Sequence, residues 1–405
     1  MSRNKSKKPK PENPQLLKAR HKKDYLSRLK MVCDRLAGKG WFELIPTAEL
    51  DIIYEKRYPP LSIKMADNTS IDKNRWEEYR QVLQTMLDTP SVIGGESAAI
   101  PIKTIHSEGL TMLHFIAMMA IKRFPGSEEL RETFRPYLMT EQSQYYYLKD
   151  ELIQFLFIMD VRSGNYYDGF LQADTSELNV GKIPPKANAI FVHHHKPVVT
   201  SITINGGKRD IVALLRPVPH GKTIHVHFKP SAIGLASTSD ESLPVYIQRH
   251  ALKRLDERLG LQTNNVHSHL FFSLFDQPVS YVAGTDHSLI AFNMYYHKVG
   301  YLLTTLHDDK LVIRSFLFLT NDGTPEGRKL HQLTRLEKYD KKYLGIDKLS
   351  TFTAYRIDED EELSAIFREA GCGPLLDSSY LQAIAAEYTP PRDKSALHKY
   401  ITNEN

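Results

Sequence analysis

Cysteine is nearly absent from this chain: Cys33 and Cys372 are the only two among 405 residues. They share no C-x-x-C or zinc-ligand spacing, which excludes a disulfide framework and a cysteine-built metal centre. Reduced thiols and a cytoplasmic location are the expectation. Long apolar runs are lacking too. The richest stretches, 114–121 and 152–159, are broken by charge within a few residues, well short of the roughly 20 needed to cross a bilayer. No membrane association is therefore expected. The N-terminus is basic and polar with no apolar stretch behind it, unlike a secretory signal. There is no G-x-S-x-G elbow. Asn205-Gly206-Gly207 is followed by neither a lysine-serine pair nor a helix start, so it is a turn and not a phosphate loop.

What is present is an ordinary globular composition, 41% hydrophobic and 25% charged, with an uneven charge distribution. Residues 1–30 hold eleven Lys or Arg against two acids, so a net +5 divides into +9 for this arm and −4 for the rest. Such arms contact nucleic acid or anionic surfaces, or simply stay solvated. Lys5, Lys7, Lys8, Lys10, Lys22 and Lys23 are the candidate nucleic-acid contacts.

Pattern divides the chain into a disordered basic arm (1–14), a helical domain (15–160), a linker (161–187), an α+β domain (188–345) and C-terminal helices with a tail (346–405). Residues 15–36, 72–87, 111–124, 128–137 and 142–159 have helical periodicity. Beyond 188, β-branched and aromatic content rises, predicting strands at 189–192, 198–204, 210–215, 223–228, 279–283, 289–295, 299–306 and 311–319. Helices are expected at 244–259, 265–275, 324–343, 361–370 and 378–388. The fold class is α+β: a mostly α-helical N-terminal domain, then an antiparallel sheet packed by helices.

The most informative segment is 243–260, LPVYIQRHALKRLDERLG. Its spacing places His250, Arg254 and Arg258 on one row of a helix, at the boundary of a buried stripe of Ile247, Ala251, Leu255 and Leu259. Two guanidiniums one turn apart repel, and an imidazole beside them suits an anionic phosphodiester. The same row also suits arginine stems that merely cover apolar surface. A helix bearing His-Ala-x-x-Arg-x-x-x-Arg, then a short helix and an antiparallel sheet, resembles the barnase, colicin and RelE-like ribonuclease toxins over residues 244–320. That resemblance implies metal-independent RNA cleavage without a cofactor. His250 would move protons and Arg254 and Arg258 would stabilise phosphoryl charge, with His297, Arg314, Ser315 and Thr320 as candidates for a further catalytic side chain from the sheet.

Twelve of the seventeen histidines lie between His193 and His307. His225 with His227 and His267 with His269 are H-x-H pairs, which on a strand share a face and can chelate a metal. No H-E-x-x-H or H-x-H-x-D motif accompanies them. Three readings therefore stand: an RNA-directed phosphodiesterase or RNA-binding factor, a non-catalytic module docking protein or nucleic acid, and a histidine-ligated metal-dependent hydrolase.

Overall fold

The computed structural model describes residues 13–91, 93, 99–119, 122–138, 169–175, 188–237, 239–260, 269–274, 279–294, 296–377, 381 and 389–401. The chain divides into two compact units, Met1–Phe157 with Ala173–His193, and Ile158–Gln172 with His194–Asn405. The class is α+β.

In the first unit, α1 (Pro14–Leu36) starts with proline at its first position and an Asn13 side chain accepting from the Gln15 amide at 3.0 Å. Tyr25, Leu29, Val32, Cys33 and Leu36 recur at three- and four-residue spacing and are all buried. They share a core with Ile53, Tyr58, Met112, Phe115 and Phe134. Helices α2 (Thr47–Glu55) and α3 (Lys73–Leu87) follow, the latter capped by Asp72, whose carboxylate accepts from the Asn74 and Arg75 amides. A further helical stretch, α4, joins Ile102–Thr104 and Leu110–His114 through a wider π turn at Ile105–Gly109, and a second π turn covers Phe115–Met119. It begins nine residues before the expected start. Helix α5 (Ser127–Leu138) closes the series.

The mostly helical domain also contains a strand. β1 (Ser62–Met65) pairs in parallel with β3 (Ala189–His195), Ser62 against Ala189 through Met65 against Val192. β2 (Phe170–Asp174) lies beyond β3 in the same sheet and falls inside the expected linker. A four-residue strand whose partner is more than a hundred residues away leaves no local periodicity to read. The helix expected at 142–159 lies outside the described residues.

The second unit is built on one large sheet. Its strands are β4 (Val199–Ile204), β5 (Gly207–Ala213), β9 (Leu243–Gln248), β10 (Tyr281–Ala283), β11 (Ser288–Met294), β12 (His297–His307) and β13 (Lys310–Phe318). The order across it is β10-β11-β12-β13-β9-β5-β4. A short ribbon of β6 (Leu215–Val218) and β7 (Lys222–His225) stands apart, and β8 (His227–Phe228) pairs with β9. Asn205 and Gly206, at φ 50° and 74°, turn β4 into β5 with Ile204 opposite Gly207, the left-handed pair that a two-residue hairpin requires. All neighbours in the large sheet are antiparallel except β9 and β13, which run parallel with Val245 opposite Leu311 and Ile247 opposite Ile313.

That parallel pair corrects the reading of 243–260. Its first six residues form the strand β9, and only Arg249–Leu259 forms a helix, α6. Successive β9 side chains enter different cores: Val245 and Ile247 join α6 residues Ala251, Leu252, Leu255 and Leu259, while Tyr246 packs with Val312, Ile211 and Ala213. Alternation of this kind is the signature of a strand buried on both faces. Helices α7 (Pro325–Thr334), α8 (Lys338–Leu344), α9 (Leu349–Ala354), α10 (Glu361–Glu369), α11 (Gly373–Leu376) and α12 (Ser395–Ile401) follow the sheet. The expected single helix over 324–343 is two, because the chain turns through the left-handed region at Arg335, φ 59°.

Candidate nucleic-acid interface

Helix α6 retains the four-residue row of His250, Arg254 and Arg258, but the row descends from solvent into the protein. His250, the second residue of the helix, is exposed. Arg254 is half-buried, and its Nη1 donates to Glu257 Oε2 at 3.0 Å. Arg258 is 15% exposed, ion-paired with the Asp347 carboxylate, and donates to the Asp347 backbone carbonyl at 3.1 Å. The two guanidiniums expected to meet an anionic ligand are thus engaged by neighbouring acids. Burial pushes the carboxyl of Asp256 up to about 6, with adjacent Glu257 adding to the shift. Burial and Arg254 also lower the pKa of Arg258.

The four candidates for a further catalytic group lie on or just beyond the strands β12 and β13. Arg314 follows Ile313, the partner of Ile247, so it stands where β9 ends and α6 begins. Leu303 pairs with Ser315 while the next residue, Thr304, pairs with Ile313, leaving Arg314 in a β-bulge. Arg314 is half-buried, and its charge helps hold Asp286, after the hydrogen bond from His287, below the usual carboxylate range. Thr320 is buried and donates to the Ile346 carbonyl at 2.8 Å, which leaves it structural. His297 and Ser315 are half-buried.

The described histidines assemble no metal centre. Rings of His225 and His227 lie 6.0 Å apart edge to face, and His227 Nδ1 is 2.9 Å from the His225 carbonyl. His269 is buried, and His267 lies outside the described residues. Among the described residues, no group of three or more His, Cys, Asp or Glu side chains could hold a metal ion. Burial, with His227 beside it, keeps the His225 pKa below its ordinary value.

On α1 the basic arm continues as helix. From Pro14 to Asp24 no side chain is buried, and Lys18, Arg20, His21 and Lys23 are exposed. Lys22 is ion-paired with Asp51, whereas Lys18, Arg20 and Lys23 form no ion pair with a described acid. Lys5, Lys7, Lys8 and Lys10 lie outside the described residues.

Two buried charge clusters escaped the sequence reading. In the first unit, Glu108 in the first π turn accepts from Arg28 Nε at 2.6 Å and from the Ser107 hydroxyl. In the second, Glu326 Oε1 accepts from Lys298 Nζ at 2.6 Å and from the Tyr301 hydroxyl at 2.9 Å. Burial works against the Lys298 ammonium, but its hydrogen bonds to Glu326 and Tyr301 outweigh that and raise its pKa. Cys372 is fully buried, and its thiol is pushed up to about 12 by burial, then by Glu326. Nothing local announced these clusters, since Glu326 reads as a first-turn helix acid and its partners sit on a strand 25 to 28 residues earlier.

No match to this chain was found among protein families, curated proteins or solved structures.

Proposed function

We propose that the chain is an RNA-binding protein whose first contact is electrostatic, through the basic arm and the solvent-exposed start of α1. The observation that carries this reading is the run Pro14–Asp24: three helical turns that bury no side chain yet present Lys18, Arg20 and Lys23 in no ion pair with a described acid. A helix segment that contributes nothing to the core and concentrates one sign of charge is suited to a polyanion. The test is fluorescence anisotropy with a single-stranded RNA between 50 and 200 mM salt. Replacing Lys18, Arg20 and Lys23 by Ala should flatten the log–log salt slope by about 2, at roughly 0.7 per phosphate on a single strand. An unchanged slope, or no binding by the parent chain, overturns the reading. No helix among the described residues is long and apolar enough to cross a membrane. A cytoplasmic setting belongs to this proposal.

A second reading, metal-independent cleavage of the bound RNA, rests on His250. Its place at the exposed start of α6 sets the imidazole at the helix end whose dipole favours an anion. With Arg258 held by Asp347, Arg314, at the junction of β9 and α6, takes its place as the candidate for charge stabilisation. RNA cleavage in excess chelator, lost in His250→Ala with binding retained, supports this. Intact RNA after prolonged incubation with the parent chain removes it and leaves binding alone.

A further inference from the structure

Exposed aromatic side chains gain nothing from folding, and one part of the second unit gathers three of them. On α8, Lys341 and Leu344 are buried, which turns the opposite side of this short helix outward. Tyr339 and Tyr343 lie one turn apart there, 83% and 75% exposed. Tyr400, from α12, sits against Tyr343 with ring centroids 6.0 Å apart at 39°. Its own helix is anchored beneath by Leu397 and Ile401, leaving Tyr400 41% exposed. The Tyr343 and Tyr400 rings thus meet over a packed base, with Tyr339 one turn further along α8.

Lysines flank the row, with the acids Glu337, Asp340 and Asp393 among them. Lys338, Lys342 and Lys399 are exposed and form no ion pair with a described acid. These acids are engaged locally: Asp340 accepts from the Glu337 amide at 2.8 Å and Glu337 from the Asp340 amide in a capping box, while Asp393, with Lys399 near it, accepts from the Ser395 amide and hydroxyl. A tyrosine row flanked by lysine matches the pairing of stacking platform and backbone-tracking charge that single-stranded nucleic acid uses. A second copy of this chain fits less well, because two-fold pairing would set lysine against lysine.

We propose that Tyr339, Tyr343 and Tyr400 form a base-stacking platform for single-stranded RNA, with Lys338, Lys342 and Lys399 holding the flanking phosphates. The proposal rests on the RNA-binding reading above and assigns it a second, independent contact. Stacking engages the π-face that every base carries, so the platform should favour single strands over duplex and show little sequence preference.

The experiment compares the full chain with Tyr339→Ala/Tyr343→Ala and with Tyr339→Phe/Tyr343→Phe, using ten-nucleotide oligo(U), oligo(A) and a ten-base-pair RNA duplex. The parent should prefer both single strands to the duplex. The double alanine variant should bind them roughly tenfold weaker for each ring removed, with duplex binding and thermal midpoint unchanged. The phenylalanine variant, which keeps the rings, should match the parent. If the parent binds RNA and the alanine variant binds equally well, the platform alone is overturned. Failure of the parent to bind any RNA at 50 mM salt removes the platform together with the RNA reading. Loss of self-association in the alanine variant with unchanged RNA affinity would assign the row to a second copy and overturn the proposal.

Discussion

Arg258 and Asp347 clasp the end of α6 to the chain just ahead of α9, through a carboxylate ion pair and a second hydrogen bond to the Asp347 backbone carbonyl. Both side chains are largely buried, at 15% and 9% exposure. The guanidinium is therefore a structural bolt rather than a ligand contact.

Removing one half of a buried pair strands the other charge, which costs about 3 kcal/mol. Arg258→Ala and Asp347→Ala should each lower stability by that amount in urea unfolding, with Arg258→Met/Asp347→Leu recovering most of it. His250→Ala, at an exposed position, should stay within about 0.5 kcal/mol of the parent. Arg258→Ala behaving as mildly as His250→Ala would show that the clasp carries no stability.

Asp256 gives a pH signature. Its folded carboxyl titrates near 6 against about 3.9 in the unfolded chain. Between these values the folded state keeps a proton that the unfolded state has released, so stability falls as pH rises through the window. Asp256→Asn removes the penalty. Its advantage over the parent should be absent below about pH 4, grow through pH 6 and level off near neutral pH at no more than about 3 kcal/mol, the order given by the shift. A pH-independent difference between the two proteins would contradict the assignment.

The entry to α7 admits neither a larger residue nor a lost charge. A Cβ on Gly327 would lie 1.8 Å from the Asn321 carbonyl oxygen, so Gly327→Ala must displace backbone. We expect a loss of about 3 kcal/mol, at the upper end for overpacking. Glu326→Ala should cost a similar amount by stranding Lys298. Chemical denaturation of each variant checks both figures, and a native-like midpoint for either would refute the packing described.

Neither thiol should react in the native state. Cys33 and Cys372 are fully buried, and burial pushes each up to about 12. Ellman's reagent at pH 8 should therefore label the folded chain only as fast as it unfolds, and both sites at once in denaturant. Rapid native labelling of either cysteine would be the contrary result.

Much of the fold was legible where the signal was local. Asn205-Gly206 marked the β4–β5 hairpin, and Thr324-Pro325 marked the start of α7, where the Thr324 hydroxyl accepts from the Gly327 amide at 2.9 Å. Apolar residues at helical spacing gave α1 and α3. The error at 243–260 has a simple cause. Ile247 is four residues before Ala251 and thus satisfies a helical stripe, yet Val245, Tyr246 and Ile247 are equally a run of strand formers buried on both faces. The tyrosine row was half legible, since Tyr339 and Tyr343 stand four apart in a segment read as helical. Tyr400 could be added only by the packing of α12.

Sequence alone determined the charge asymmetry, the want of a disulfide framework and the α+β class, because each depends on composition or on neighbours a few residues away. Tertiary structure decided which charges remain available. Arg258 met Asp347, 89 residues further along, and Lys298 met Glu326, while Lys18, Arg20 and Lys23 met no described acid. Ion pairing depends on distance in space, and spacing along the chain fixes that distance only within a single helix or hairpin.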